Sequence, residues 1–493
     1  MSTTKISAEL IRYKAFPIGS SERTSKDKLD EFVSVRDFGA KGDGVTDDTA
    51  AIQSAVSAFS KIAFPAGYTY VIDTVSIPSN VVLVIDGKCL RKPNTSSDSY
   101  MFVNVDTTNG NSNIMISGSG EIDGNSANQI GDRQGLIKFV KPTDCRINVR
   151  KLGNNKYTSS NGVVASQGCV VFVDGVRCHA HDIFLSVWQR EGIYFDGASL
   201  NCSIRRINAL GDGSNGWSAV SISGAGGVGN IIDGIHAENC GASSVVLDST
   251  YSTACNIVSK NNQFNNGVNF GHTGKPASYS RGVNITVLNA GQAATSGSTH
   301  NGVSVGGNTT NFELVNITVN GAYNNCINIS DGATKVQVKG SNRLEGAVTG
   351  SGVYSFNTDN VRVSGVTAIN NHDYGVNFTA GNDCSLTDSN LVGNSFGPFS
   401  ASGSGVTVRT SKLSPDALIL AVNLAGLAAG GSTVVTNGNV MGFYSAINIF
   451  PRNTTAAAAI PFVATKTTGG FTITVVNAVP ASGGPFNVSC EIL

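Results

Sequence analysis

Charge and aromatic rings are both scarce in this chain of 493 residues. Only 14% of residues are charged, 34 Lys and Arg balance 34 Asp and Glu, and Phe, Tyr and Trp together make 7%. A neutral chain offers no basic surface to nucleic acid or to an anionic membrane, so neither is expected as a partner. No apolar run reaches the length of about 18 residues that a membrane-spanning helix needs. The opening segment is polar and lacks the apolar core of a secretory signal, so ordinary secretion is not expected and the thiols should stay reduced. The ten Cys show no CxxC-type spacing, so no zinc site, no other metal and no cofactor is called for. Cys202, Cys255 and Cys384 fall at similar places in successive repeats and read as small buried hydrophobes.

What the chain has in quantity is Gly, 58 residues of it, crowding with Asn into what read as tight corners. Between the corners one pattern recurs. Val171-Phe172-Val173-Asp174, Ile193-Tyr194-Phe195-Asp196, Val220-Ser221-Ile222-Ser223 and Val245-Val246-Leu247-Asp248 each place two apolar residues on one side of a short strand, then a polar residue. Taking the second inward residue as marker gives 173, 195, 222, 247, 270, 305, 329, 355 and 378. All but one of the successive differences fall in a narrow band in the twenties. A fixed period of that size, built from strands without a helical pattern, predicts a parallel β-helix running over 73–412.

Ahead of the coils, residues 33–72 hold an alternating run from Val33 to Phe38, a loop with Gly39, Gly42 and Gly44, and a helix over 47–60. Asp47, Asp48 or Thr49 can cap that helix. Its apolar face, Ile52, Val56 and Phe59, can seal the open first coil, whose apolar layer would otherwise meet water. Residues 1–32 form a short arm, read either as an attachment segment or as a disordered tail. Residues 413–493 are nearly uncharged, and runs such as Ser432-Thr-Val-Val and Gly470-Phe-Thr-Ile-Thr-Val-Val alternate as strands. They predict a small antiparallel β-sandwich whose uncharged surface needs partners, hence trimer assembly or carbohydrate binding.

The run DFGAKGDGVTDDTAAIQ, from Asp37 to Gln53, closely resembles the opening signature of the pectate-lyase-like β-helix superfamily. That form is common among bacteriophage tailspikes and capsule depolymerases. The resemblance implies an all-β protein, a right-handed parallel β-helix that assembles as a homotrimer. It further implies action on bacterial surface polysaccharide from the virion tail, with residues 1–32 docking on the tail or on another fibre. Asn113 to Gly124 is similar to the early coils of polygalacturonase-type β-helices, but that family's Asn-Thr-Asp, Asp-Asp and His-Gly catalytic set is absent from the later coils.

The candidate chemistry sits between Asp174 and His272. Successive coils rise by roughly 4.8 Å. A column of Asp174, Asp196, Ser223 and Asp248 would then offer carboxyls about 5 Å or about 9.6 Å apart, spacings that suit retaining or inverting glycosidases. Asp196 and Asp248 are the leading acid–base pair, with Asp174 raising the pKa of its neighbour. The alternative for each is a turn carboxylate that hydrogen-bonds backbone. Glu191, Asp212 and Glu238 stand second. The two Trp of the chain, Trp188 and Trp217, lie in polar turns, and Tyr194 occupies an outward position; all three are expected to stack on sugars.

The one long interval, from marker 270 to marker 305, comes from the segment His272 to Arg281 and from Gln292 to His300. His272, Lys275, Tyr279 and Arg281 suit uronate elimination, with a base for the C5 proton and a cation for the carboxylate. Three functions therefore stay open: a hydrolytic depolymerase, a polysaccharide lyase, and a tail fibre that holds glycan without cutting it.

Overall fold

The structure, a computed structural model, describes residues 11–14, 21–29, 31–95, 99–158, 167–213, 216–272, 274–293, 300–402 and 406–409, together with the backbone of six strands between 418 and 492. Most of the expected arm, part of the 292–300 extension and most of 413–493 lie outside the described residues. The chain divides into two compact units, residues 1–196 with 202–208, and residues 197–201 with 209–493.

In the first unit, parallel strands Val75–Ile77, Ser99–Asn104, Arg133–Val140, Gly168–Val173 and Glu191–Asp196 stack in sequence. Parallel stacking in register puts like residues above like. Phe139, Phe172 and Phe195 form one buried row, with stacked rings at 5.5 and 5.0 Å. A second parallel sheet repeats the effect with buried Ile62, Leu83, Ile116 and Ile147. These two rows are the core.

The register corrects one expectation. Phe172 pairs with Phe195 and Val173 pairs with Asp196, so the marker in that coil is Phe172, not Val173. Asp174 therefore lies one residue beyond the Asp196 row. It takes a left-handed backbone (φ 53) and donates its N–H to the Asp196 carbonyl at 3.0 Å.

The helix spans Thr49–Ala58 and buries Ile52, Ala55 and Val56. It packs on strands Lys61–Phe64 and Val75–Ile77. Gln53 exchanges two hydrogen bonds with the backbone of Ser76, its Nε2 donating to the carbonyl at 3.0 Å and its Oε1 accepting from the N–H at 2.8 Å. An edge strand is thereby given partners by a side chain. Asp48 stands at the N-cap, but its carboxylate turns back to accept the N–H groups of Lys41 (2.6 Å) and Gly42 (3.1 Å). Asp47 instead accepts the N–H of Thr49 at 3.0 Å. At Gly42 (φ 62) an added Cβ would meet the Tyr68 Cβ at 2.7 Å, so the signature needs glycine there. The strand expected from Val33 to Phe38 stops at Ser34, because Ser34 and Asp37 form a reciprocal capping box that opens a 3-10 turn over Val35–Phe38.

In the second unit the repeat matches the sequence period. Ile222, Leu247, Phe270, Val305, Ile329, Ser355 and Phe378 pair in one row. Buried Ile235, Ile257, Ile285 and Ile317 line the second sheet. The corner between the two sheets needs a left-handed residue in each coil, a conformation costing a non-glycine residue roughly 1–2 kcal/mol and Asn less. Asn201, Gly229, Asn311 and Asn360 supply it. Other coils place larger side chains there: Tyr251 (φ 50), Tyr279 (φ 55) and Lys335 (φ 54).

Toward the end, strands Leu418–Asn423 and Ile447–Pro451 flank Asn487–Ile492, and Ser432–Thr436 and Pro461–Thr467 flank Gly470–Val475, all antiparallel. The nine described cysteines are free, and all but Cys255 are buried. Burial pushes the thiols of Cys240 and Cys326 up to about 12, which suits packing groups and not nucleophiles.

The aromatic row makes a direct forecast. Phe172→Ala should lower stability by about 3–5 kcal/mol, while Val45→Ala, at an exposed site, should change it by no more than about 0.5 kcal/mol. Guanidinium unfolding midpoints measure both, and equal midpoints would mean that Phe172 does not sit in the core row.

Candidate functional site

Ser223 and Asp248 pair directly on adjacent strands Val220–Val228 and Val245–Thr250. The next strand, Val268–Phe270, ends one residue short of that column. Leu247 pairs with Phe270, so Gly271 takes the following place. A Cβ there would meet the Thr309 hydroxyl at 2.3 Å and the Gly306 carbonyl at 2.6 Å. Without room for a side chain, the backbone leaves the sheet with φ 69. It closes a tight turn in which His272 and Lys275 exchange N–H and C=O at 3.2 and 2.8 Å.

That turn brings four side chains together. His272 Nδ1 lies 2.6 Å from Asp248 Oδ2, and Lys275 Nζ donates to Ser223 Oγ at 3.3 Å. The Asp248 side chain is 0% exposed and that of His272 46%. Neither Asp248 oxygen has a well-aligned hydrogen-bond donor among the described residues. The 2.6 Å approach is therefore a close contact whose angle falls short of a hydrogen bond. An isolated buried carboxylate costs several kcal/mol, so the imidazole and the carboxylate hold each other in place. With Nδ1 turned to the carboxylate, Nε2 is the ring nitrogen left to meet a ligand. A positioned imidazole can move a proton, and the adjacent ammonium can neutralise developing negative charge.

The other expected residues fall elsewhere. Asp196 belongs to the first unit, where the Tyr194 hydroxyl donates to its Oδ1 at 2.8 Å. Burial pulls the Lys138 ammonium below its ordinary pKa, and the charge of Asp196 opposes that pull. Tyr194 is thus the hydrogen-bond partner of Asp196 as well as a half-buried ring. Glu191 begins the strand that Asp196 ends, roughly 16 Å away along an extended chain. Asp212 is exposed in the turn after strand Ser203–Leu210, and Glu238 ends strand Ile231–Glu238, so neither adjoins the Ser223–Asp248 column.

One expectation needs correction. Trp188 is fully buried, so both ring faces are already covered and none is free for a sugar. Asp248 has a side chain 0% exposed and lies against His272 in the second unit, while Asp196, its expected acid–base partner, belongs to the first. Trp217 is 44% exposed and precedes strand Val220–Val228, in which Ser223 lies.

The loop set also divides. His272 and Lys275 join Asp248 and Ser223, whereas Tyr279 and Arg281 line a groove with Tyr251. Sequence reasoning missed Tyr251. The signal was present, since Tyr251-Ser252-Thr253 and Tyr279-Ser280-Arg281 repeat a Tyr-Ser pair one coil apart, in step with the pairing of Thr253 and Arg281.

Known proteins share this architecture. Residues 32–137 match the family model described as rhamnogalacturonase A/epimerase, pectate lyase-like. That match ends before the first candidate site residue. The preneck appendage protein of Bacillus phage PZA is 28% identical over 201 residues, covering 38% of this chain and 22% of that protein. A tail spike protein of an Escherichia phage is 38% identical over 71 residues, and the capsule-specific Depolymerase 1 of Klebsiella phage K5-2 is 35% identical over 72. Each of those two covers 14% of this chain and 9% of the relative, so the matches span under a quarter of each relative's own length. A mutant tailspike of E. coli bacteriophage HK620, solved with a pentasaccharide, superimposes with a TM-score of 0.59 at 14% identity, covering 98% of this chain and 97% of that one. That likeness is one of fold. Over residues 32–137 the chain is thus similar to the pectate-lyase-like family, and over short stretches to phage tail spike, depolymerase and appendage proteins.

Proposed function

We propose that this chain is a phage tailspike depolymerase that binds and cleaves bacterial surface polysaccharide, with Ser223, Asp248, His272 and Lys275 as its catalytic cluster. The observation that carries the proposal is the 2.6 Å contact between a fully buried Asp248 and a half-exposed His272. Matches to phage appendage, tail spike and depolymerase proteins support the location on a virion tail. In this reading residues 1–32 attach the protein to the tail, helix Thr49–Ala58 caps a right-handed β-helix, and residues 413–493 hold a homotrimer together.

The cluster suits elimination from a uronic acid better than hydrolysis by two carboxylates. His272 Nε2 takes the proton at C5, the C4–C5 double bond forms, and the bond from C4 to the bridging oxygen breaks. The departing oxygen takes up a proton, leaving one new reducing end and one unsaturated uronate. Lys275 stabilises the negative charge that builds on the uronate carboxylate. Asp248 orients the ring and balances the imidazolium that results. Hydrolysis is the second reading, favoured by Asp174 and Asp196 on adjacent coils of the first unit.

Incubation with polysaccharides from a panel of capsule types separates these readings. Reducing ends with absorbance at the unsaturated-uronate band support elimination. Reducing ends alone support hydrolysis, and neither signal leaves a glycan-binding fibre. His272→Gln and Asp248→Asn should each slow cleavage by about 10²-fold or more with unchanged circular dichroism. If both cleave at the parent rate while Asp196→Asn is inactive, the centre lies in the first unit. Deleting residues 413–493 should give monomers or aggregates by light scattering, because the trimer's apolar contacts go with them; a well-behaved trimer would remove that role.

A further inference from the structure

We propose that the groove around Tyr251 and Tyr279 is a second, non-catalytic glycan site selective for an acidic sugar. The proposal rests on the reading that the ligand is a polysaccharide. The groove has a volume of about 490 Å³, inside the range of roughly 300–1,000 Å³ common to small-ligand sites. Its tyrosines are 65% and 53% exposed and stack at 5.0 Å with planes 10° apart. Polar groups surround this aromatic platform, among them Ser280, Asn311 and Gln337. A pyranose offers the same mixture, an apolar ring face edged by hydroxyls.

Two features set the groove apart from ordinary surface. The first is conformational. Successive coils hand the corner from one left-handed residue to the next, with the Tyr251 N–H donating to the Ser278 carbonyl and the Tyr279 N–H to the Thr310 carbonyl. Neighbouring coils fill that column with Asn201, Gly229 and Asn311, which tolerate the conformation. A large ring there is strained in backbone, and the two adjacent tyrosines leave more than half of their surface open to solvent. The second is charge. Arg281 donates from Nε to the Thr253 hydroxyl at 3.3 Å, and no carboxylate lies within salt-bridge distance of it among the described residues. Glu313 pairs with Arg281 in the strand register but is held by Lys339 Nζ at 2.6 Å. The groove thus presents a guanidinium ready to receive a carboxylate in bidentate geometry. Holding the chain there would tether a long polymer while His272 and Asp248 act on another part of it.

The test uses the full chain, a hyaluronan hexasaccharide as acidic probe and maltohexaose as its neutral counterpart. Calorimetry should show the acidic probe binding about tenfold or more tighter than the neutral one. Tyr251→Asn with Tyr279→Asn, the residue natural to that column, should keep the fold and weaken the acidic probe by about tenfold or more. Arg281→Gln should abolish the preference for charge. The tyrosine variants should leave kcat on short fragments unchanged and raise KM on long polymer. Failure of the wild-type chain to bind the acidic probe, or equal binding by the tyrosine variants, overturns the proposal. So does a change in assembly by light scattering with binding intact, which makes the groove a subunit contact. His272→Gln should bind the hexasaccharide as the parent does. A parent chain that binds the hexasaccharide but cleaves none of the polymers would count against the proposed function and leave the groove standing.

Discussion

Main-chain hydrogen bonds between parallel strands of successive coils set every other distance within each unit. A parallel ladder aligns residue with residue, so the spacing of apolar side chains along the chain becomes a vertical row in space. Phe139, Phe172 and Phe195 stack because one full coil separates each from the next, although the two coils differ in length. The same rule lines up Ile222, Leu247 and Phe270 in the second unit. Corners must then absorb the differences in coil length, which is why left-handed Asn and Gly recur at one place in the coil.

Chemistry enters where the ladder is broken. Gly271 occupies a place whose neighbours leave no space for a side chain, and the chain turns out of the sheet and folds over the column below. Asp248 loses its exposure to solvent and gains an imidazole, and Ser223 gains an ammonium. The site is thus the joint product of a regular column, which supplies two polar residues side by side, and of one coil that departs from it. The tyrosine corner is the complementary case: the backbone keeps its path, and two side chains depart from what the path favours.

How much of this the sequence revealed depends on whether the signal was periodic. The row from Ile222 to Phe378 was legible because each marker repeats at coil length, and helix Thr49–Ala58 because its apolar face has helical spacing. Asp174 was misplaced by one residue, since Val171, Phe172 and Val173 are all apolar and periodicity alone does not choose among them. Trp188 looked like a surface ring because its neighbours are polar, yet it is fully buried, and a turn's composition does not report which way one side chain faces. The contact between Asp248 and His272 joins two successive coils and needs the turn at Gly271, which no local pattern encodes. Tyr251 carried a repeat signal in its Tyr-Ser pair that was readable only once the length of that coil was known. Near the end of the chain the runs at Ser432 and Gly470 were legible as strands through alternation, whereas their pairing partners were not.

The structure of the His272→Gln variant bound to a fragment of the polysaccharide that the parent cleaves tests the central claim most directly. The account predicts a uronate whose carboxylate contacts Lys275, with the linkage to be broken beside residue 272 and above Ser223 and Asp248. A fragment seated with its scissile linkage against Asp174 and Asp196, and nothing at the turn from residue 272 to 275, would contradict it.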